Sequence, residues 1–299
     1  MSAPQTIGFI GLGAMGHAMA SNLLRAGFEV VGHDTSDAAM QALIALGARP
    51  GETPRATAEA AGLTVTMLPN APDVDAVLEG AQGLLAAPGE GRLLMNCSTI
   101  APAEARRLAA KAAAAGWPYL DCAVGRTATQ AAEGKCLFLL GGESAHKAAV
   151  RPALDAMGDT VIDCGAVGQA SAVKIVNNYL ALVSCLATAE ALQLARAAEV
   201  SPDLALEVIN GTTARNGNTQ LNFPNKVLKG DVRPGFPLMH GLKDLGIAVD
   251  AMREAGVACF LGEQSLKAFE AARDLGHGTN DCTDILNALG EMQRKGEEP

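Results

Sequence analysis

At 299 residues the chain is longer than one hydrophobic core ordinarily serves, because single cores stop growing at roughly 250–300 residues, and it reads as two domains. A formal net charge of -9 argues against nucleic acid or an anionic membrane as a partner, since either would demand a basic patch against phosphate. The seven cysteines (Cys97, Cys122, Cys136, Cys164, Cys185, Cys259 and Cys282) are odd in number and lack CxxC spacing, so neither a disulfide framework nor a metal site is expected, and a reducing cytoplasm is the expected compartment.

The opening Met1-Ser2-Ala3-Pro4-Gln5 lacks the basic and long apolar regions of a secretion signal. From there short apolar runs alternate with helical patterns, which predicts βαβ units and a mainly parallel sheet. Strands are expected over 6–10, 29–33, 63–67, 93–96, 119–122, 136–140 and 161–163, and helices over about 15–26, 38–46, 57–61, 72–78, 103–115 and 145–156. Ser36 and Ser98-Thr99 stand where helix N-caps are wanted.

Strand signals stop after Gly165. From 167 to 199 there is no proline, and no glycine after Gly168, so one helix of about thirty residues and about 45 Å is expected, long enough to bridge two domains. Its apolar stretch from Val173 to Ala195 is interrupted by Lys174, Asn177, Asn178, Glu190 and Gln193, so a buried helix is expected and not a membrane span. The expected architecture is an α/β Rossmann domain over 1–166, followed by an all-α C-terminal domain over 167–299 that includes the interdomain helix 167–199 and ends in the charged run Arg294-Lys295-Gly296-Glu297-Glu298.

The run Gly11-Leu12-Gly13-Ala14-Met15-Gly16 follows the apolar strand and opens the first helix. In that context a GxGxxG motif is read as a dinucleotide loop, the alternative being a phosphate-free βαβ turn: Gly11 for the tight turn, Gly13 for close approach of pyrophosphate, and Gly16 for helix–strand packing. Leu12, Ala14 and Met15 fill the loop and the helix N-terminus that would face the phosphates. The second strand ends at Asp34, 23 positions after Gly11. An acid there would accept hydrogen bonds from ribose hydroxyls and repel a 2′-phosphate, which points to NAD(H) over NADP(H). His33 beside it is read as a packing residue.

On the long helix Lys174 and Asn178 are one turn apart and Asn177 lies three residues from the lysine, so the three can share a face. Hydride transfer to an aldehyde creates an alkoxide, and an ammonium beside an amide can stabilise and protonate it. The alternative is a lysine that snorkels to the surface while the asparagines bridge helices.

Four segments together resemble the β-hydroxyacid dehydrogenases: the glycine loop, Met67-Leu68-Pro69-Asn70, the stretch from Gly168 to Asn178, and Lys243-Asp244-Leu245. The resemblance spans the chain in order. It implies a Rossmann domain, a long interdomain helix, an all-helical second domain and an active site in the cleft between them. It further implies Lys174 as the catalytic lysine, Leu68, Pro69 and Thr99 as cofactor contacts, Lys243 closing over cofactor and substrate, and a homodimer or homotetramer.

Many members of that family carry Ser-Gly-Gly after the strand that here reads Asp121-Cys122-Ala123-Val124; this chain has Gly125-Arg126-Thr127. An arginine fork with a threonine hydroxyl suits a multi-oxygen anion such as a sulfonate, although it binds carboxylates too. With Asn177-Asn178-Tyr179, Asn210-Gly211-Thr212 and Pro224-Asn225-Lys226-Val227-Leu228, the run resembles the 3-sulfolactaldehyde reductases within the family. That implies NADH-dependent reduction of sulfolactaldehyde to 2,3-dihydroxypropane-1-sulfonate in sulfoquinovose breakdown, with Gly125, Arg126, Thr127, Asn177, Asn178 and Lys243 on the substrate. Three alternatives stand beside it: a carboxylate semialdehyde as substrate, a nucleotide-binding regulator without turnover, and, for Arg126, a surface ion pair with Asp121 or Glu133. Cys122 is read as a small buried filler, and His240 as either lining the cleft or solvated.

Overall fold

The computed structural model describes residues 5–296. Met1–Pro4, where most of the reading of the N-terminal run falls, and residues 297–299, at the end of the charged run, lie outside the described residues. The chain forms two compact units, the first ending at Lys174 and the second beginning at Ile175.

The first unit carries β1 (Thr6–Ile10), α1 (Ala14–Arg25), β2 (Glu29–His33), α2 (Asp37–Ile44), β3 (Arg49–Pro50), α3 (Pro54–Glu59), β4 (Leu63–Thr66), α4 (Ala71–Leu78), β5 (Leu93–Asn96), α5 (Pro102–Ala114), β6 (Tyr119–Gly125), α6 (Ala128–Ala132), β7 (Cys136–Gly141), α7 (Ser144–Met157) and β8 (Gly158–Gly165). The eight strands form one sheet in the order β3-β2-β1-β4-β5-β6-β7-β8. Every pairing is parallel except β6 with β7. Because both faces of a parallel sheet are covered by helices, β1, β4 and β5 are nearly continuous buried runs. One face builds a core around Phe9, Met19, Leu23, Met95 and Phe138, the other around Ile10, Leu78, Leu108 and Trp117.

Register decides where function can sit. Ile10 pairs with His33 and with Thr66, and Thr66 pairs with Asn96, so the carboxyl ends of β1, β2, β4 and β5 finish in one line. The strand order reverses between β1 and β4, the switch point where open α/β sheets bind ligands. The glycine loop, Asp34, the Leu68-Pro69 turn and Thr99 all leave the sheet at that line.

Three local readings are corrected. The two-residue edge strand β3 and the five-residue α6 are too short to show periodicity in sequence. Ser98 and Thr99 do not cap α5; its N-cap is Ala101, and the Ser98 hydroxyl accepts from Leu68 N instead (2.9 Å). Ser36 does cap α2, accepting from Ala39 N at 3.3 Å.

The helix expected over 167–199 is α8 (Gln169–Ala197), unbroken for 29 residues, and the boundary of the two units falls within it after Lys174. It is followed by α9 (Pro202–Asn210), the single turn α10 (Phe223–Asn225), α11 (Leu238–Glu254), α12 (Phe260–Asp274) and α13 (Ile285–Gly296). Leu182, Cys185, Leu186, Ala189 and Leu192 of α8 join Phe223, Leu245, Val249, Phe269 and Ile285 in the second unit's core. The expected buried helix is buried along one stripe only: Val176, Leu180 and Leu194 are about 70% exposed. By length and hydropathy alone α8 would suffice to cross a bilayer; its buried stripe belongs to a protein core.

Candidate active site

Sterics fix the glycine loop. Gly11 has φ +93°, and a Cβ there would lie 2.3 Å from Met67 O; a Cβ on Gly16 would lie 1.9 Å from Gly11 O. Both positions therefore require glycine. A Cβ on Gly13 would meet no protein atom within 4 Å, so its bareness serves no internal contact and suits a group approaching from outside. Gly13 N-caps α1 without any side-chain hydrogen bond, which leaves the first-turn N–H groups of α1 for an anion. Gly13 and Ala14 are exposed, Met15 is half-buried and Leu12 is buried.

Asp34 is tied to this loop. Its Oδ2 accepts from Leu12 N (2.6 Å) and its Oδ1 from Ser36 N (2.8 Å). Each carboxylate oxygen accepts more than one hydrogen bond, so ribose hydroxyls fit in addition. The His33 ring nitrogen Nδ1 lies 2.8 Å from Gly51 O, in keeping with a packing role. Below the adjacent loops, Asn96 Oδ1 accepts from Thr66 Oγ1 (2.9 Å) and Ser98 N (3.2 Å), and Ser98 in turn holds Leu68. Ser98 is thus what joins the Leu68-Pro69 turn to the Thr99 loop, a role that sequence reading assigned to nothing. The loops, the bare helix terminus and the acid at the end of β2 fit a dinucleotide.

Asp121 is the larger surprise. Buried at 1% exposure, it accepts from Gly168 N (2.9 Å), Ser171 N (3.0 Å) and Ser171 Oγ (2.7 Å). It supplies the carboxylate that satisfies the start of α8 and complements its dipole; Ser171, which donates to it twice, stands three residues before Lys174. Burial pushes its carboxyl pKa up, against the pull of those hydrogen bonds. Its only sequence signal was an acid in an otherwise apolar strand.

Asp121 therefore cannot be the ion-pair partner of Arg126, and neither is Glu133, which pairs with Lys135 (2.9 Å). The Arg126 guanidinium instead donates to Asp159 Oδ2 (2.8 Å), Lys135 O (2.7 Å) and Thr160 Oγ1 (3.2 Å). The Asp159 carboxylate raises the arginine's pKa, and the arginine lowers that of Asp159. Arg126 adopts φ +72°, an uncommon conformation for a residue with a side chain. Thr127 N-caps α6, its hydroxyl in a reciprocal capping box with Gln130. Gly125 ends β6.

On α8, Lys174 is half-buried, Asn177 exposed and Asn178 buried. Asn177 Nδ2 donates to Asn178 Oδ1 (3.0 Å), and Asn178 Nδ2 donates to Asp244 Oδ2 (2.7 Å). Lys243 Nζ lies 2.7 Å from Asp244 Oδ1. The second unit thus joins Asn177, Asn178 and Lys243 through Asp244, which enters the sequence reading only within the Lys243-Asp244-Leu245 motif and without a role of its own. His240 stacks edge-on against Phe236 (6.3 Å); desolvation and then the Lys243 charge lower its pKa. Cys122 is fully buried, and burial together with Cys97 pushes its thiol pKa up, as suits a filler.

Residues 6–168 match the family model for the NAD-binding domain of 6-phosphogluconate dehydrogenase, and residues 168–289 that for the NAD-binding region of NADP-dependent 3-hydroxyisobutyrate dehydrogenase. The chain is 38% identical to the 3-sulfolactaldehyde reductase of Escherichia coli over 283 residues, 95% of each chain. The chain belongs to the β-hydroxyacid dehydrogenase family. It is also 32% identical to the 2-(hydroxymethyl)glutarate dehydrogenase of Eubacterium barkeri, over 96% of this chain and 95% of that one. The solved 3-hydroxyisobutyrate dehydrogenase of Mycobacterium tuberculosis superposes with a TM-score of 0.85 at 32% identity, covering 97% of this chain and 99% of that one. As a member of this family the protein is an NAD-dependent oxidoreductase acting on a small hydroxy or aldehyde substrate.

Proposed function

We propose that the protein reduces the aldehyde of 3-sulfolactaldehyde to the alcohol of 2,3-dihydroxypropane-1-sulfonate. NADH bound at the glycine loop supplies the hydride. Lys174 donates the proton that the nascent alkoxide takes up, so one hydride and one proton convert C=O to CH–OH. Asp34 and Leu12 hold the adenosine ribose side, and the negative charge of Asp34 disfavours NADP(H). Leu68, Pro69 and Thr99 flank the cofactor. Arg126, with Gly125 and Thr127, receives the sulfonate; Asn177, Asn178 and Lys243 supply further polar contacts.

The observation that carries the substrate is Gly125-Arg126-Thr127 in a chain alike, over 95% of its length, to a protein named 3-sulfolactaldehyde reductase. A guanidinium offers parallel donors to a multi-oxygen anion. In the pair with Asp159 the arginine side chain is 28% exposed and the aspartate 46%, so solvent and a headgroup can reach the pair, and a headgroup must displace or share the carboxylate. The same pair favours a second reading, a carboxylate semialdehyde, because a partly neutralised arginine discriminates less between anions. Steady-state rates with sulfolactaldehyde beside succinic, methylmalonate and tartronate semialdehydes, each with NADH and NADPH, test both. Turnover of a carboxylate semialdehyde without sulfolactaldehyde sinks the first reading.

We further propose a cytoplasmic homodimer or homotetramer. The exposed Val176, Leu180 and Leu194 on α8 support self-association, and light scattering after gel filtration checks it.

A further inference from the structure

We infer that Asp244 is a positioning residue of the active site: its one carboxylate fixes the amide orientation of Asn178 through Oδ2 and holds the Lys243 ammonium through Oδ1. The inference deepens the proposed function and rests on its assignment of Asn178 and Lys243.

Asp244 lies on α11 at 3% exposure. An ionised carboxylate only accepts, so of the two ends of the Asn178 amide only the NH2 can face it, at 2.7 Å. Reversing the amide would set oxygen against oxygen inside the protein, at the cost of a buried hydrogen bond and a repulsion. The carbonyl end of Asn178 is thereby left as the acceptor; it takes one bond from Asn177 Nδ2 at 3.0 Å and keeps a second lone pair. On α8 the Lys174 position is one turn earlier, on the face Asn178 shares.

The other carboxylate oxygen has no aligned hydrogen-bond donor but lies 2.7 Å from Lys243 Nζ. Its contact with the ammonium is electrostatic, and it keeps a long, rotamer-rich side chain in one place. A buried carboxylate serving fold stability alone would need neither partner to be a site residue. Here both are.

Two substitutions separate the two jobs. In Asp244→Asn the new Oδ1 still accepts from Asn178, but an NH2 faces the lysine. In Asp244→Leu both partners lose their acceptor. Kinetics use whichever semialdehyde the wild type reduces fastest, so the test does not depend on which anion is the headgroup. For D244N we expect KM to rise about tenfold with kcat within about threefold, and for D244L a further fall in kcat of about tenfold or more. Both are compared at equal folded fraction by circular dichroism and thermal unfolding. Equal kcat in the two variants, losses that only track Tm, or an unchanged KM in D244N would overturn the inference.

If D244L does not fold, a cycle of D244N with Lys243→Met decides. The double variant should raise KM no further than K243M alone, and additive effects overturn the inference. Asn178→Ala provides the separate control: wild-type rates there overturn the site assignment itself, whereas a crippled N178A beside an unaffected D244L overturns only the positioning role.

Discussion

The glycine loop and the Gly125-Arg126-Thr127 run both leave the carboxyl ends of strands in the same sheet, yet they differ in what they depend on. In the loop, the proposed cofactor contacts are made by the backbone. Gly11 and Gly16 are fixed by contacts with Met67 O and Gly11 O, and the donors are N–H groups of a helix terminus. In the arginine run, the proposed function would rest on side chains, and each has found a partner already: Arg126 on Asp159 and Thr127 on Gln130. A backbone site is complete once its glycines are in place, whereas a side-chain site also depends on which competing partners the fold brings near.

The largest expected effect lies on neither side of that contrast but decides whether they serve one reaction. Lys174→Ala should lower kcat by about 10²–10⁴ while leaving NADH binding intact, as expected for loss of a general acid; stopped-flow hydride transfer and NADH fluorescence titration separate the two. Wild-type turnover in this variant would remove the mechanism.

Gly16→Ala attacks the backbone side. A methyl 1.9 Å from Gly11 O cannot be accommodated without displacing the turn, so the variant should lose about 1–3 kcal/mol of stability or more together with NADH affinity. Chemical denaturation and calorimetric titration read both. Retained affinity would show that the loop does not hold the dinucleotide.

Arg126→Ala attacks the side-chain side and should lower kcat/KM for anionic aldehydes by about ten- to a hundredfold without changing Tm. Its counterpart Asp159→Asn should raise kcat/KM by a few fold, because the headgroup no longer competes for the guanidinium. If D159N has no effect, the pair is not opened by substrate. Asp34→Asn keeps an acceptor for Leu12 N while removing the charge, and should narrow the NADH-over-NADPH preference by about tenfold, since a charge repelling the 2′-phosphate is gone; relative kcat/KM measures it.

The smallest effect concerns a side-chain cluster outside the catalytic site. His277 Nδ1 lies 2.6 Å from Asp284 Oδ2 and Nε2 lies 3.4 Å from Glu291 Oε2. Burial works against its charged form, but the two carboxylates outweigh that and raise its pKa above the ordinary 6.5. A raised folded-state pKa stabilises fully below the unfolded value and is lost as pH rises through the folded one. The Tm difference between wild type and His277→Gln should therefore be largest below about pH 6.5 and narrow above it; a constant difference would exclude the linkage.

The sequence alone determined what depends on local sterics and periodicity. Seven of the eight strands, the 29-residue α8, the glycine loop with Asp34, and the shared face of Lys174 and Asn178 were legible because backbone conformation and helical spacing are properties of neighbouring residues. The tertiary structure decided what depends on partners far along the chain. Asp121 could be read as an ion-pair partner for Arg126 until the fold buried it under Gly168 and Ser171, 47 and 50 positions away. Arg126 could be read as an anion's fork or as the partner of Asp121 or Glu133 until β8 brought Asp159 to it, and Asp244 had no role of its own until α8 and α11 met at Asn178. A charged or amide side chain takes its role from the nearest complementary group, and only folding determines which group that is.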